Sequence, residues 1–204
     1  ISNISSHWPA NYVEQNRVAY DTLAEEYRSR RQHDREKDLQ LIQPYIRLLQ
    51  QQFGNDSMRV LDLGCGNGLN LAMFAEEGFD VTGIDVSSKM LEDARDACPS
   101  AALIFDDILS SPIPSDSFHG VFAKAIIHLF PRHDAMALLK KLHHILKPGG
   151  VFYVTTTVES SSREGLLEKE DYKGKVCRYR RSWFPDELKK AVTAAGFRVV
   201  KSSF

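Results

Sequence analysis

The stretch Val60-Leu61-Asp62-Leu63-Gly64-Cys65-Gly66-Asn67-Gly68 constrains the fold more than any other part of this chain. An apolar strand runs straight into glycines at alternate positions, and a helical pattern follows. Glycine removes side-chain bulk, so the backbone there can lie against a ligand. The N–H groups at the start of the following helix then face that ligand. A plain strand-to-helix turn does not demand three alternate glycines. A dinucleotide site wants Gly-x-Gly-x-x-Gly. Read from Gly64, that pattern meets Leu69; read from Gly66, it meets Leu71, so it fails in both registers. Asp62 points the same way. A carboxylate ahead of the loop would repel a pyrophosphate but suits a ligand that carries an ammonium group.

Around this loop the chain alternates between strands and helices. Strands are expected at Arg59–Leu63, Phe79–Ile84, Ala101–Phe105, Phe118–Lys124, Val151–Thr156 and Phe197–Lys201. Helices are expected at Leu71–Glu77, Ser88–Ala97, Asp134–Leu146 and Pro185–Ala195. Such alternation implies a doubly wound α/β fold, a mostly parallel sheet covered on both faces. The first 50 or so residues show apolar positions at helical spacing, Ala19-Leu23-Ala24-Tyr27 and Leu39-Ile42-Ile46-Leu49, until Gly54-Asn55-Asp56 breaks the pattern. They read as N-terminal helices over residues 1–53, ahead of a core over 57–204. The polar stretch 157–184 is a long connection on the side of the ligand, and long connections are often functional.

Asp62-x-Gly64-x-Gly66-x-Gly68 resembles the signature loop of class I S-adenosylmethionine (SAM)-dependent methyltransferases, which have a Rossmann-like fold. The resemblance implies that Gly64, Cys65 and Gly66 touch the methionine part of SAM through the backbone. It continues in order along the chain. Asp85, followed by Val86, ends the second strand about 20 residues past the loop, where an acid accepts hydrogen bonds from ribose hydroxyls; a helix cap is the plainer role. Met90 stands where the family often packs an apolar residue on adenine. Asp107 and the N–H of Ile108 are expected at the adenine edge, with Asp106 a possible exchange partner. Phe118-His119-Gly120-Val121 departs from the family by carrying His119 in place of Asp, which reads as a surface histidine. Lys124 ends the fourth strand beside the methyl donor, with a backbone role expected. His128 is a candidate general base, or a histidine that only shapes the pocket. Leu146-Lys147-Pro148-Gly149-Gly150 resembles the family turn before strand five. Tyr20 and Tyr27 share one face of an N-terminal helix that, by resemblance, caps the cofactor. The family's seventh strand has no counterpart before Phe204.

The expected reaction is methyl transfer from SAM to O, N or C of a small-molecule acceptor, releasing S-adenosylhomocysteine. A SAM-binding regulatory domain without turnover, an NAD-dependent oxidoreductase and an aminopropyltransferase are the alternatives. A net charge of -1 gives no reason to expect nucleic acid or an anionic membrane as partner. No apolar run reaches the roughly 20 residues of a membrane span, and no signal peptide is visible. Three cysteines without a CxxC pair argue against disulfides and zinc and fit a cytoplasmic setting. No metal is expected. The basic stretch Lys173–Arg181 reads either as a solvated face or as a holder of an acceptor anion.

Overall fold

The computed structural model describes residues 11–54, 57–157, 163–168 and 176–203, and only the backbone of residues 31–34. Five segments form one sheet: β1 (Arg59–Leu63), β2 (Asp80–Asp85), β3 (Ala102–Phe105), β4 (Phe118–Lys124) and β5 (Leu146–Thr155). Their order is β3-β2-β1-β4-β5, and every neighbouring pair is parallel. The chain steps outward from β1 through β3, then returns to the other side of β1 with β4. Such a reversal opens a crevice at the carboxyl ends of the two central strands.

Alternate residues of a strand point to opposite faces, and two cores result. Leu61, Leu63, Val121 and Ala123 join one core with α4 (Arg132–Ile145) and α5 (Pro185–Ala194). Val60, Val81 and Phe122 join the other with α1 (Tyr12–Phe53), α2 (Leu69–Glu76) and α3 (Ser88–Ala97). Ser87 caps α3 by accepting from Met90 N at 3.1 Å. This is the Rossmann-like α/β fold that the alternation implies.

Three expectations are corrected. The N-terminal helices are one continuous helix, α1, which carries Pro44 inside it. Glu, Gln, Lys and Arg, all good helix formers, fill the gap between its two apolar stretches. Residues 197–201 form no strand. Phe197 N donates back to Val192 O at 3.1 Å, which closes the end of α5 instead of starting a ladder. The Phe197 ring still packs on Phe152, with centroids 5.0 Å apart. The connection after β5 holds an antiparallel hairpin, β6 (Glu164–Glu168) with β7 (Cys177–Arg181). Ser160–Ser162, Lys169–Asp171 and the Lys173–Lys175 part of the basic stretch lie outside the described residues. Among the described residues no helix is long and apolar enough to cross a membrane.

Candidate active site

The loop between β1 and α2 is held by its own backbone. Gly64, Gly66 and Gly68 have φ of 67°, 53° and 78°, a region that glycine enters without steric cost. Gly64 N and Cys65 N both donate to Ile84 O, at 2.9 and 3.2 Å. A Cβ on Gly68 would stand 2.6 Å from the backbone of Ala94, whereas one on Gly66 would meet nothing within 4 Å. Gly68 is therefore a packing glycine, and Gly66 borders open space. Asp85 ties the loop to β2: its carboxylate accepts from Gly66 N and from Ser87 N, both at 2.9 Å. Burial pushes the Asp85 acid upward, against those two bonds. A carboxylate has about four acceptor positions, so roughly half of its capacity is left for hydroxyls.

Above this floor lies a cavity of about 490 Å³. Gly64, Cys65, Gly66, Asp85, Val86, Met90, Asp107, Ile108 and Lys124 line it from the sheet side, and Tyr20 and Tyr27 line it from α1. Asp62 does not line it. That residue is 1% exposed, and its Oδ2 has no hydrogen-bond partner. Burial pushes Asp62 up to about 8; Asp85 and Asp38 add to the rise and Lys124 opposes it. Asp106 also lines the cavity, and Asp107 N donates to Asp106 Oδ1 at 2.8 Å, so both acids stand at the same edge of the cavity.

Two further residues have surroundings that the sequence does not indicate. Lys124 contributes its side chain as well as its backbone, since Nζ sits 2.5 Å from both carboxylate oxygens of Asp38 on α1. Its neighbour Ala125, also in the cavity wall, has φ of 54°, a conformation that costs a non-glycine residue on the order of 1 kcal/mol. Ala125 N donates to Thr155 O at 3.0 Å and to Thr155 Oγ1 at 3.1 Å, which holds that bend. His128 is buried at 4% exposure and is absent from the cavity wall. Its Nδ1 lies 3.3 Å from Thr156 Oγ1, so it braces the ends of β4 and β5 from behind. His119 is far from the cavity; its Nδ1 accepts from Arg59 N at 2.9 Å, and its ring meets Phe53 edge-on.

The roof is α1. Asn67 Nδ2 donates to Tyr27 O at 2.9 Å, and Ser87 Oγ donates to Asp21 Oδ1 at 2.6 Å. Asn16 is 5% exposed; it donates to Leu129 O at 3.2 Å and accepts from Tyr179 N at 2.9 Å. One amide thus joins α1, the turn after β4 and the hairpin. Tyr12, Asn16 and Asp38 line the cavity but were not singled out from the sequence. Tyr12, Asn16 and Tyr20 recur every four residues, a stripe that would have shown them.

These residues fit an adenosyl ligand: a glycine cradle open at Gly66, a buried acid for hydroxyls, and apolar Met90 and Ile108 beside acids. A family model described as "Methyltransferase domain" matches residues 60–150. An uncharacterized methyltransferase of Mycobacterium tuberculosis is 33% identical over 109 residues, 52% of this chain and 54% of that protein. A malonyl-[acyl-carrier protein] O-methyltransferase of Serratia marcescens is 30% identical over 118 residues, 58% of this chain and 46% of that protein. The chain thus spans about half the length of these curated relatives. Among solved structures, the 1,6-didemethyltoxoflavin-N1-methyltransferase of Burkholderia thailandensis, with bound 1,6-didemethyltoxoflavin and S-adenosylhomocysteine, shares the fold. Its TM-score is 0.69 at 22% identity, over 96% of this chain and 82% of that one. Residues 60–150 thus match a methyltransferase domain, and the chain has the fold of SAM-dependent methyltransferases of known structure.

Proposed function

We propose that this protein transfers the methyl group of SAM to an O, N or C atom of a small-molecule acceptor and releases S-adenosylhomocysteine. The observation that carries the reading is the enclosure of the glycine loop and Asp85 under the aromatic face of α1, in one cavity at the sheet's switch point. The bound cofactor would supply a sulfonium methyl that is already electrophilic. The chain's task is then to hold, align and dry the site. Asp85 accepts from the ribose hydroxyls. Met90 and Ile108 pack on the adenine, and Asp107 or Asp106 receives its amino group. Tyr20, Tyr27 and Asn16 close the side that faces water. His128 stands behind the cavity wall, so an acidic acceptor needs no base from it. The buried thiols of Cys65 and Cys98 are consistent with a reducing, cytoplasmic setting.

Calorimetry tests the cofactor site. SAM and S-adenosylhomocysteine should bind, NAD should not, and Asp85→Ala should lose about 100-fold in affinity, about 2.7 kcal/mol. Binding of NAD instead, or an unaffected Asp85→Ala variant, would sink the assignment. With a verified acceptor, His128→Ala should keep turnover within about tenfold. A loss inside the range of about 10²–10⁴ typical of a general base would restore His128 to catalysis.

A further inference from the structure

The cavity runs lengthwise beneath α1, and its charges are unevenly spread. Among the described residues the cations of its wall are Lys37 and Lys124. They stand at one end, since Lys37 precedes Asp38 on α1 and Lys124 Nζ meets Asp38. Tyr12 lies about 38 Å from Lys37 along the helix, at 1.5 Å per residue. At that far end Tyr12, Val13, Tyr20, Leu129 and Phe130 make the wall, and the Tyr12 ring meets Phe130 edge-on with centroids 6.1 Å apart. The amide of Asn16 stands among them but is taken up by Leu129 O and Tyr179 N. The charges that reach this end are negative. Burial, then Asp134 and Asp107, push the Tyr12 phenol upward. Burial, with Asp106, pushes Asp107 upward as well. Loss of water and nearby negative charge penalise any other anion placed there in the same way. Of the basic stretch, Arg178, Arg180 and Arg181 are described and none lines the cavity; Arg181 is held by Glu187 and Glu164 instead.

We infer that the Tyr12 end of the cavity selects an uncharged, ring-bearing acceptor and rejects one that carries a carboxylate or a phosphate. The inference rests on the methyl-transfer reading above and deepens it by naming the acceptor's chemical class. A ring set against Tyr12 and Phe130 gains edge-to-face contacts and buries apolar area. A carboxylate in the same place loses its water and meets no cation of the described wall. It also stands in the field of Asp106, Asp107 and Asp134, which the apolar surroundings screen poorly. The selection is thus made by the charge pattern along α1, with cations at one end of the cavity and aromatic rings beside acids at the other.

The test compares 2-naphthamide with 2-naphthoate, which share one ring body and differ in charge. Calorimetry reads both on the whole chain saturated with S-adenosylhomocysteine, at neutral pH and fixed salt. The amide should bind about tenfold tighter or more. Val13→Lys places a cation in the same wall and should narrow that gap by about fivefold or more. Naphthoate binding as tightly as the amide, a gap that Val13→Lys leaves unmoved, or a loaded chain that binds neither probe would each overturn the selection. If S-adenosylhomocysteine itself does not bind, the cofactor reading falls first, and the acceptor class with it.

Discussion

The floor and the roof of the cavity are built on different principles. The floor, from β1 to the start of α3, is backbone: glycines at positive φ, N–H groups on Ile84 O, and a carboxylate fixed by two N–H donors. The roof is a single helix held by scattered side chains, among them Asn16, Asp21, Asp38 and Tyr27 through its carbonyl. A floor made of backbone leaves few substitutions open, whereas a roof made of side chains can be retuned residue by residue.

The largest expected effect lies in the floor. Gly68→Ala must place a Cβ against the Ala94 backbone at a positive φ, so it should cost about 3 kcal/mol or more by urea unfolding. Gly66→Ala has the strain without the clash and should cost about 1 kcal/mol, with its main loss in ligand affinity. If the two variants unfold alike, the division between packing and ligand glycines is wrong.

Asp62 sharpens the contrast through pH. Its acid is raised from 3.8 to about 8, so between those values the folded chain holds a proton that the unfolded chain releases. Stability from this group is therefore complete below about pH 4 and is lost as pH rises towards 8. Asp62→Asn should remove that slope in the ligand-free protein. Relative to wild type it should gain about 2–4 kcal/mol between pH 5 and pH 8; parallel pH–stability curves would refute this. In the roof, Asn16→Ala strands a buried carbonyl and a buried N–H and should cost about 2 kcal/mol in urea unfolding. Arg35→Ala breaks only the exposed tie to Glu76 and should change stability by less than about 0.5 kcal/mol. A larger effect there would mean that the outer contacts of α1 matter as much as the buried ones.

The same contrast governs how much could be read from the sequence. The floor was legible because its physics is local: glycine at fixed spacing, apolar strands of four to seven residues, and Ser87 ahead of a helix that begins and ends where the pattern says. The roof was legible only as helix. Asn16 matters because it meets Leu129 and Tyr179, 113 and 163 residues away, and no local pattern encodes that meeting. The hairpin escaped notice because Cys177–Arg181 carries three arginines, and their burial depends on partners such as Trp183, over whose ring Arg181 lies at 4.2 Å. His128 was singled out by resemblance as a base or a pocket-shaping residue; its burial in the 3-10 turn Ile127–Leu129, outside the cavity lining, depends on tertiary packing that the sequence does not print.

Pro44 gives α1 a mechanical character. Around it, Ile42, Tyr45, Ile46 and Leu49 are rooted in the core; further towards its start the helix roofs the cavity, held by Asn16, Asp21, Tyr27 and Asp38. Proline offers no N–H to the carbonyl one turn back, so the rod is softest where it leaves its root. From Pro44 to Tyr12 the overhang is about 48 Å at 1.5 Å per residue. On an arm of that length, a tilt of about five degrees at the root sweeps the tip through roughly 4 Å. If α1 tilts at Pro44 to admit a ligand, changes beside Pro44 should alter exchange rates more than they alter equilibrium affinity, a split that stopped-flow binding measures.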